Sequence, residues 1–247
     1  MLLPLKKAGQ KIALIGWWAN DNQNAEGCGV VWGNSSFVVT LHDGIASAMK
    51  DAQNELKTVE GSLVEAPIPR GIADATAAAL WADVVVLALG EPTNYSGEAQ
   101  SRTDIVIPEA QQALAEAVSA VGKPIVVLLK NGRALALEGA VKNAQAIMVT
   151  WFLGKKSGEA IADLLFGDHS PEGRLPVSFP VRSGQQPYLL QSTCSASLSL
   201  CVSVCVCVRV GVSLAASHTH THTHTHTHTH TPKVLSRSRA RPLCVYV

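Results

Sequence analysis

Short apolar runs alternate with longer amphipathic segments over residues 11–180, and this alternation constrains the fold more than any other feature. The clearest runs are 11–16, 82–89, 123–130 and 144–152, and a weaker one covers 56–61. Strands that are apolar throughout have both faces buried, which is typical of parallel sheets covered by helices. The sequence therefore predicts an α/β fold, a three-layer α/β sandwich with a mostly parallel sheet and helices on both faces.

The segments between these runs have helical periodicity. In 38–52, for example, Leu41, Ile45 and Met49 fall on one face of a helix. The segment 107–121 has a proline in its first turn and a glycine directly after it, as helices commonly do. We therefore predict helices within 38–52, 71–82, 107–121 and 157–167.

The composition changes near Thr193. From Ser192 onwards the chain consists largely of Cys-Val and His-Thr repeats, which complementary dinucleotide repeats in DNA would encode. A His-rich tract can capture Zn, Ni or Cu, but repeats without a varied apolar pattern usually stay disordered. We therefore predict no metal site, and we divide the chain into a linker remnant (1–10), one α/β domain (11–190) and a low-complexity tail (191–247) that is disordered or a gene-model artefact.

Charge and cysteine content exclude several classes of function. All 19 acidic residues precede position 194, whereas five of the 20 basic residues follow it, so the α/β part is mildly acidic. It has no basic signature of nucleic-acid binding. Cys28 is the one cysteine before the tail, so we expect no disulfide framework. The α/β part has no segment that is long and apolar enough for a membrane span, and the amino terminus lacks a signal-peptide pattern.

The loop 88–104, ALGEPTNYSGEAQSRTD, follows the strongest predicted strand and is rich in charged side chains. Functional groups gather in the loops after the carboxyl ends of parallel strands. This loop contains no dinucleotide fingerprint, and neither a P-loop nor a nucleophile elbow occurs in the chain. Two carboxylates remain as candidates, Glu91 directly after the strand and Glu98 beside Gly97. The alternative is a solvated connection without chemistry.

Several segments, in their order along the chain, resemble one protein family. They are LLPLKK, ADVVVLALGE, SGEAQSRTD, KPIVVLLKNGR, WFLGKKSGEAIADLLFGD and SPEGRLPVSFP. From Met1 to about Tyr188 the chain is similar to the second domain of glycoside hydrolase family 3, and most similar to bacterial periplasmic-type β-glucosidases. The resemblance implies an α/β sandwich that packs against a (β/α)8 barrel and supplies the general acid/base glutamate.

The family pattern S-G-E-x-x-x-R matches Ser96, Gly97, Glu98 and Arg102, so the resemblance implies that Glu98 is the catalytic residue. Retaining glycosidases use two carboxyl groups about 5–5.5 Å apart, one as nucleophile and one as acid and then base. Arg102 is a predicted substrate-binding residue, and its alternative role is to orient the loop or a carboxylate. Trp32 lies near the place of a family tryptophan and is predicted to line a sugar subsite, with local packing as the alternative.

The expected function is hydrolysis of O-glycosidic bonds in a β-linked glucoside or oligosaccharide, by a retaining, β-glucosidase-like mechanism without a cofactor. In the family the nucleophile aspartate comes from the barrel. This sequence has no counterpart of that barrel, so we expect the chain to supply the acid/base half of the site. The alternative is a catalytically inactive carbohydrate-binding or scaffold fragment. The sequence assigns neither the sugar nor the compartment, although family members are often periplasmic or secreted.

Overall fold

The computed structural model describes residues 2–49, 55–185 and 245–246 of the 247-residue chain. Its strands are β1 (Lys11–Ile15), β2 (Glu55–Val59), β3 (Val84–Gly90), β4 (Ile125–Lys130), β5 (Ala146–Val149) and the two-residue β6 (Val245–Tyr246). They form one sheet in the order β2-β1-β3-β4-β5-β6, and every neighbouring pair is parallel. Strands β1, β3, β4 and β5 are almost wholly buried, which confirms the prediction of a parallel sheet covered on both faces.

Five helices cover the two faces of the sheet. They are α1 (Leu41–Ala48), α2 (Gly71–Trp81), α3 (Glu109–Ser119), α4 (Gly139–Lys142) and α5 (Ser157–Phe166). Helices α2, α3 and α4 share one apolar core with Val85 and Leu87 of β3. Helices α1 and α5 share a second core with Val86 of the same strand. Because successive strand residues point to opposite faces, the two cores lie on either side of the sheet, and the predicted three-layer sandwich is confirmed.

The predicted elements match the observed ones to within a few residues, and the differences have local causes. Helix α1 begins at Leu41 because the Thr40 hydroxyl caps it, accepting a hydrogen bond from the Asp43 N–H at 3.1 Å. Strand β5 ends at Val149, before the predicted end, because Trp151 has a left-handed backbone with φ 50° that cannot continue a strand. The four residues of α4 are too few to show helical periodicity.

The strand order creates a crevice at the carboxyl end of the sheet. From β1 the chain passes through α1 to β2, and it then passes through α2 to β3 on the other side of β1. Helix α1 lies on one face of the sheet, and α3, which follows β3, lies on the other. The connections after β1 and β3 therefore leave in opposite directions. Open α/β sheets bind their ligands at such a switch point.

The segments that flank the α/β domain differ in how much the structure describes. The predicted linker remnant packs onto the domain, since Leu3 and Leu5 are buried and the Leu5 N–H donates to the Leu165 carbonyl at 2.7 Å. The predicted low-complexity tail lies outside the described residues except for β6, so its disorder stays a prediction. Among the residues described, none of the helices has the length and apolar character needed to cross a membrane.

Candidate active site

Three loops meet at the carboxyl end of the sheet, beside the crevice between β1 and β3. They follow β1, β3 and β4. Gly90, the last residue of β3, has φ 145°, and a Cβ atom there would lie 1.7 Å from the Lys130 carbonyl oxygen. The Gln111 side chain, from α3, accepts from the Gly90 N–H and donates to its carbonyl, both at 2.9 Å. The end of β3 is thereby fixed, and the residues that follow it start from a defined position.

Glu91 is fully buried between two arginines. Its Oε1 lies 3.5 Å from Nε of Arg102 in the same loop, and its Oε2 lies 3.2 Å from Nε of Arg133 in the loop after β4. These ion pairs lack good hydrogen-bond geometry, so both carboxylate oxygens are buried without a donor among the described residues. Burial therefore raises the pKa of Glu91, although the charges of Arg133 and Arg102 oppose the shift.

Arg102 connects this buried carboxylate with the surface. Its Nη1 lies 3.7 Å from Oε1 of Glu65, and its guanidinium carbon lies 4.1 Å from the centroid of the Tyr95 ring. The Tyr95 hydroxyl donates a hydrogen bond to Glu65 in turn. The Arg102 side chain is 24% exposed, so most of it is engaged with protein groups while a minor part faces solvent.

Glu98 lies on the exposed part of the same loop, directly after Ser96 and Gly97, which both make close contacts. A Cβ atom at Gly132 would lie 2.0 Å from the Ser96 hydroxyl oxygen, so the Ser96 side chain occupies space that a glycine leaves open. Gly97 has φ 113°, and a Cβ atom there would lie 2.9 Å from Sγ of Cys28. Glu98 itself is exposed and forms no ion pair or hydrogen bond with the residues that the structure describes.

Lys130 belongs to a second polar cluster. The one sequence signal for this cluster is a lysine at the end of the apolar run 123–130. Its Nζ lies 3.7 Å from Oδ2 of Asp21 and 5.0 Å from the centroid of the Trp18 ring. Burial lowers the pKa of Lys130, and the charge of Asp21 opposes this shift. Asp21 accepts from the Asn24 amide at 2.8 Å, and Asn24 accepts from the backbone and hydroxyl of Thr93 at 3.0 Å. The cluster therefore ties the loop after β1 to the loop after β3.

The predicted site residues occupy different surroundings. Glu98 and Arg102 share one loop but form no ion pair with each other. Trp32, on the connection after β1, is 94% exposed, and it makes no stacking or cation–π contact in the described part of the chain. The catalytic role of Glu98 and the substrate-binding roles of Trp32 and Arg102 stay predictions. Within 2–49, 55–185 and 245–246, no group of three His, Cys, Asp or Glu side chains is arranged to hold a metal ion.

The doubly covered parallel sheet agrees with the α/β sandwich that the family resemblance implies. Residues 1–213 match the family model described as "Glycosyl hydrolase family 3 C-terminal domain". The chain therefore belongs to glycoside hydrolase family 3 and corresponds to its C-terminal domain, which confirms the resemblance drawn from the sequence.

Curated relatives and solved structures agree with this assignment. A periplasmic beta-glucosidase of Salmonella typhimurium is 39% identical over 204 residues, covering 75% of this chain and 26% of that protein. A beta-xylosidase of Formosa agariphila is 32% identical over 190 residues, with the same two coverages. The crystal structure of a beta-glucosidase from Listeria innocua in complex with isofagomine superposes with a TM-score of 0.69 at 35% identity, covering 75% of this chain and 25% of that one.

These relatives are glycosidases by name, that is, enzymes that hydrolyse glycosidic bonds. The chain spans about a quarter of the length of each relative that it matches. The predicted class, hydrolase of O-glycosidic bonds, is therefore confirmed at the level of the family.

Proposed function

We propose that this chain supplies the acid/base half of the active site of a retaining β-glycosidase, and that Glu98 is the acid/base. The observation that carries the proposal is the surroundings of Glu98. It is an exposed carboxylate on a loop that Ser96 anchors on one side and Arg102 on the other. An unpaired carboxylate on a loop whose two ends are anchored suits a residue that must reach a substrate held by another domain.

Glu91 is the competing carboxylate in the same loop, and its surroundings do not suit proton transfer. A general acid must come within hydrogen-bond reach of the leaving oxygen. Glu91 has no exposed surface, and Arg102 and Arg133 flank its carboxylate. A substrate could contact it only after that cluster had opened, whereas Glu98 is accessible without rearrangement.

The chemistry explains why a second domain is part of the proposal. A retaining site needs a nucleophile carboxylate about 5–5.5 Å from the acid/base. The negative charge of one carboxyl group favours the protonated form of its neighbour, so a nearby nucleophile also helps the acid to keep its proton. We propose that a (β/α)8 barrel domain provides this nucleophile and most of the contacts to the terminal sugar. Glu98 then protonates the leaving oxygen and afterwards accepts a proton from water.

The proposed substrate is a β-linked glucoside or oligosaccharide. The names of the relatives, beta-glucosidase and beta-xylosidase, support a β-linked pyranoside. The 94% exposed Trp32 ring offers an apolar face of the kind that a pyranose stacks against. The exposed edge of Arg102 is the remaining candidate for a direct contact with the sugar.

The test is a fusion of this whole chain behind the part of the Salmonella relative that precedes the matched region. We expect hydrolysis of an aryl β-glucoside by the fusion and none by the 247-residue chain alone. General acid–base catalysis contributes about 10²–10⁴-fold, so Glu98→Ala is expected to lower kcat on a disaccharide by about that factor. A dinitrophenyl glucoside, whose leaving group needs no proton, should form the glycosyl-enzyme almost as fast as in the wild type.

Added azide should rescue turnover by the Glu98→Ala fusion, because a small anion attacks the intermediate without help from a base. Gln100→Ala, an exposed neighbour in the same loop, is the matched control and is expected to behave like the wild type. If Glu98→Ala shows neither leaving-group dependence nor azide rescue, Glu98 is not the acid/base. A folded wild-type fusion without any turnover would instead favour a catalytically inactive binding or scaffold domain.

A further inference from the structure

We propose that Glu91 is a positioning residue, which holds Arg102 and thereby closes the loop 91–102 at its base, so that the Glu98 carboxylate is presented at a fixed place. This inference rests on the proposed function of Glu98. It gives a role to the buried ion pairs that Glu91 forms with Arg102 and Arg133.

The anchors of the loop are unevenly distributed around Glu98. Before it, Thr93 is bonded to Asn24, and Ser96 fits against Gly132. After it, residues 99–101 are exposed. Arg102 is the first residue after Glu98 that forms an ion pair or side-chain hydrogen bond within the described part of the chain. The Glu91–Arg102 pair is therefore the buried contact that holds the returning half of the loop, beside the contacts of Arg102 with Tyr95 and Glu65.

Glu91 is suited to hold this half because its own position is fixed. Its N–H donates to the Lys130 carbonyl at 2.9 Å, which continues the pairing between β3 and β4. The preceding residue, Gly90, is held by Gln111. A second cation, from Arg133 on the loop after β4, lies 3.2 Å from the same carboxylate. Arg102 is thus attached to the rigid edge of the sheet.

Stability by itself does not account for this arrangement. A buried ion pair must overcome a large desolvation penalty, and apolar replacements of similar size are often as stable or more so. The Glu91 oxygens also lack hydrogen-bond donors, so their desolvation is poorly offset. The ion pair with Glu91 fixes the direction of the Arg102 side chain, and an apolar pair would not do so. The Tyr95 ring, stacked on the guanidinium at 4.1 Å, restricts that direction further.

The expected effect follows from the geometry that general acid catalysis requires. A displacement of about 1 Å at a catalytic group can cost about 10²-fold in rate. In the fusion enzyme, Glu91→Gln keeps the size of the side chain but removes the charge that holds Arg102. We expect kcat on a disaccharide to fall about 10- to 100-fold with little change in KM. Azide should give no rescue, because the Glu98 carboxylate still occupies the site.

The decisive measurement repeats Glu91→Gln in a Glu98→Ala background. If Glu91 acts through Glu98, the second substitution should leave kcat on the disaccharide unchanged. An equal fold-loss in both backgrounds would show a merely structural role and would overturn the inference. The proposed function fails with a different signature, namely no effect of Glu98→Ala in the parent fusion, and the inference then falls with it.

Two further variants test the inference if Glu91→Gln folds poorly. Arg102→Gln removes the partly exposed partner, and its effect on kcat should likewise disappear in the Glu98→Ala background, whereas the loss of a direct sugar contact would raise KM equally in both backgrounds. Glu60→Gln is the control, because Glu60 is an exposed carboxylate outside the cluster around Arg102, so its kcat should stay within about twofold of the parent. Equal losses for Glu60→Gln and Arg102→Gln would contradict the positioning role of the buried pair.

Discussion

Replacing Gly132 by alanine should disturb the contact that supports the loop carrying Glu98. The introduced Cβ atom would lie 2.0 Å from the Ser96 hydroxyl oxygen, 2.8 Å from the Ser96 Cβ and 2.9 Å from Cε2 of Phe152. Relaxed non-bonded contacts between carbon atoms are about 3.5–4.0 Å, so Ser96 must move by roughly 1 Å or the loop after β4 must yield. Overpacking of this kind costs about 1–3 kcal/mol.

Thermal denaturation of the whole chain measures this cost. For a domain of about this size, each kcal/mol lowers the midpoint by about 2–4 °C, so Gly132→Ala should lower it by several degrees. Ser96→Gly removes both of the closest atoms, and the double variant should recover part of the loss, leaving the Phe152 contact. Gly29→Ala is the control, since a Cβ atom there meets nothing within 4 Å. Equal midpoints for Gly132→Ala and Gly29→Ala, or additive effects of Gly132→Ala and Ser96→Gly, would refute the contact.

Three other predictions concern the surroundings of the site. Because burial raises the pKa of Glu91 above 4.5, the folded state binds the proton of this carboxyl group more tightly than the unfolded chain does. The unfolding free energy of the wild type relative to Glu91→Gln should therefore be highest below pH 4.5 and fall as the pH rises through the folded-state pKa; a difference that stays constant in denaturant titrations over pH would contradict this. Asp21→Asn leaves the buried Lys130 ammonium without its partner and should cost roughly 3 kcal/mol in a urea titration; a loss below about 0.5 kcal/mol would show that the pair contributes little. Truncation after Tyr188 should leave the thermal midpoint unchanged, because within residues 2–185 the strands β1 and β3 to β5 already form a buried sheet; a fall of several degrees would show that β6 contributes.

Much of the fold could be predicted from the sequence because the signals are local. An apolar run such as 82–89 and the helical periodicity of 107–121 each lie within a few consecutive residues. The end of β5 is different, because it depends on the left-handed backbone of Trp151. That residue packs edge-on against Phe179, with ring centroids 6.0 Å apart. A contact with a residue so distant in the chain leaves no local pattern in the sequence.

The candidate site could likewise be predicted only in part from the sequence. The motif match identifies Glu98 and Arg102 because both lie in one short segment. The other ion pairs join separate loops. Glu91 pairs with Arg133 in the loop after β4, and Lys130 pairs with Asp21 in the loop after β1. Their proximity follows from the strand order, which no spacing in the sequence encodes. Arg102 illustrates the consequence, since a residue assigned to substrate binding by its motif is mostly engaged with Glu91 and Glu65.

The two polar clusters have complementary positions around the loop after β3. Gly90 and Lys130 are neighbours in the parallel register, but Lys130 points to the face that carries α1 and α5, where it lines a small cavity with Trp18 and Leu128. Glu91 lies two residues after Leu89, whose side chain lies in the opposite core, so alternation directs Glu91 to that face. Lys130 reaches the loop through Asp21 and the residues bonded to it, and Glu91 reaches it through Arg102. The loop is therefore held from both faces of the sheet, while the exposed segment with Glu98 extends beyond it. A rigid base with a free carboxylate is what a domain needs if it contributes one catalytic group to a site completed by another domain.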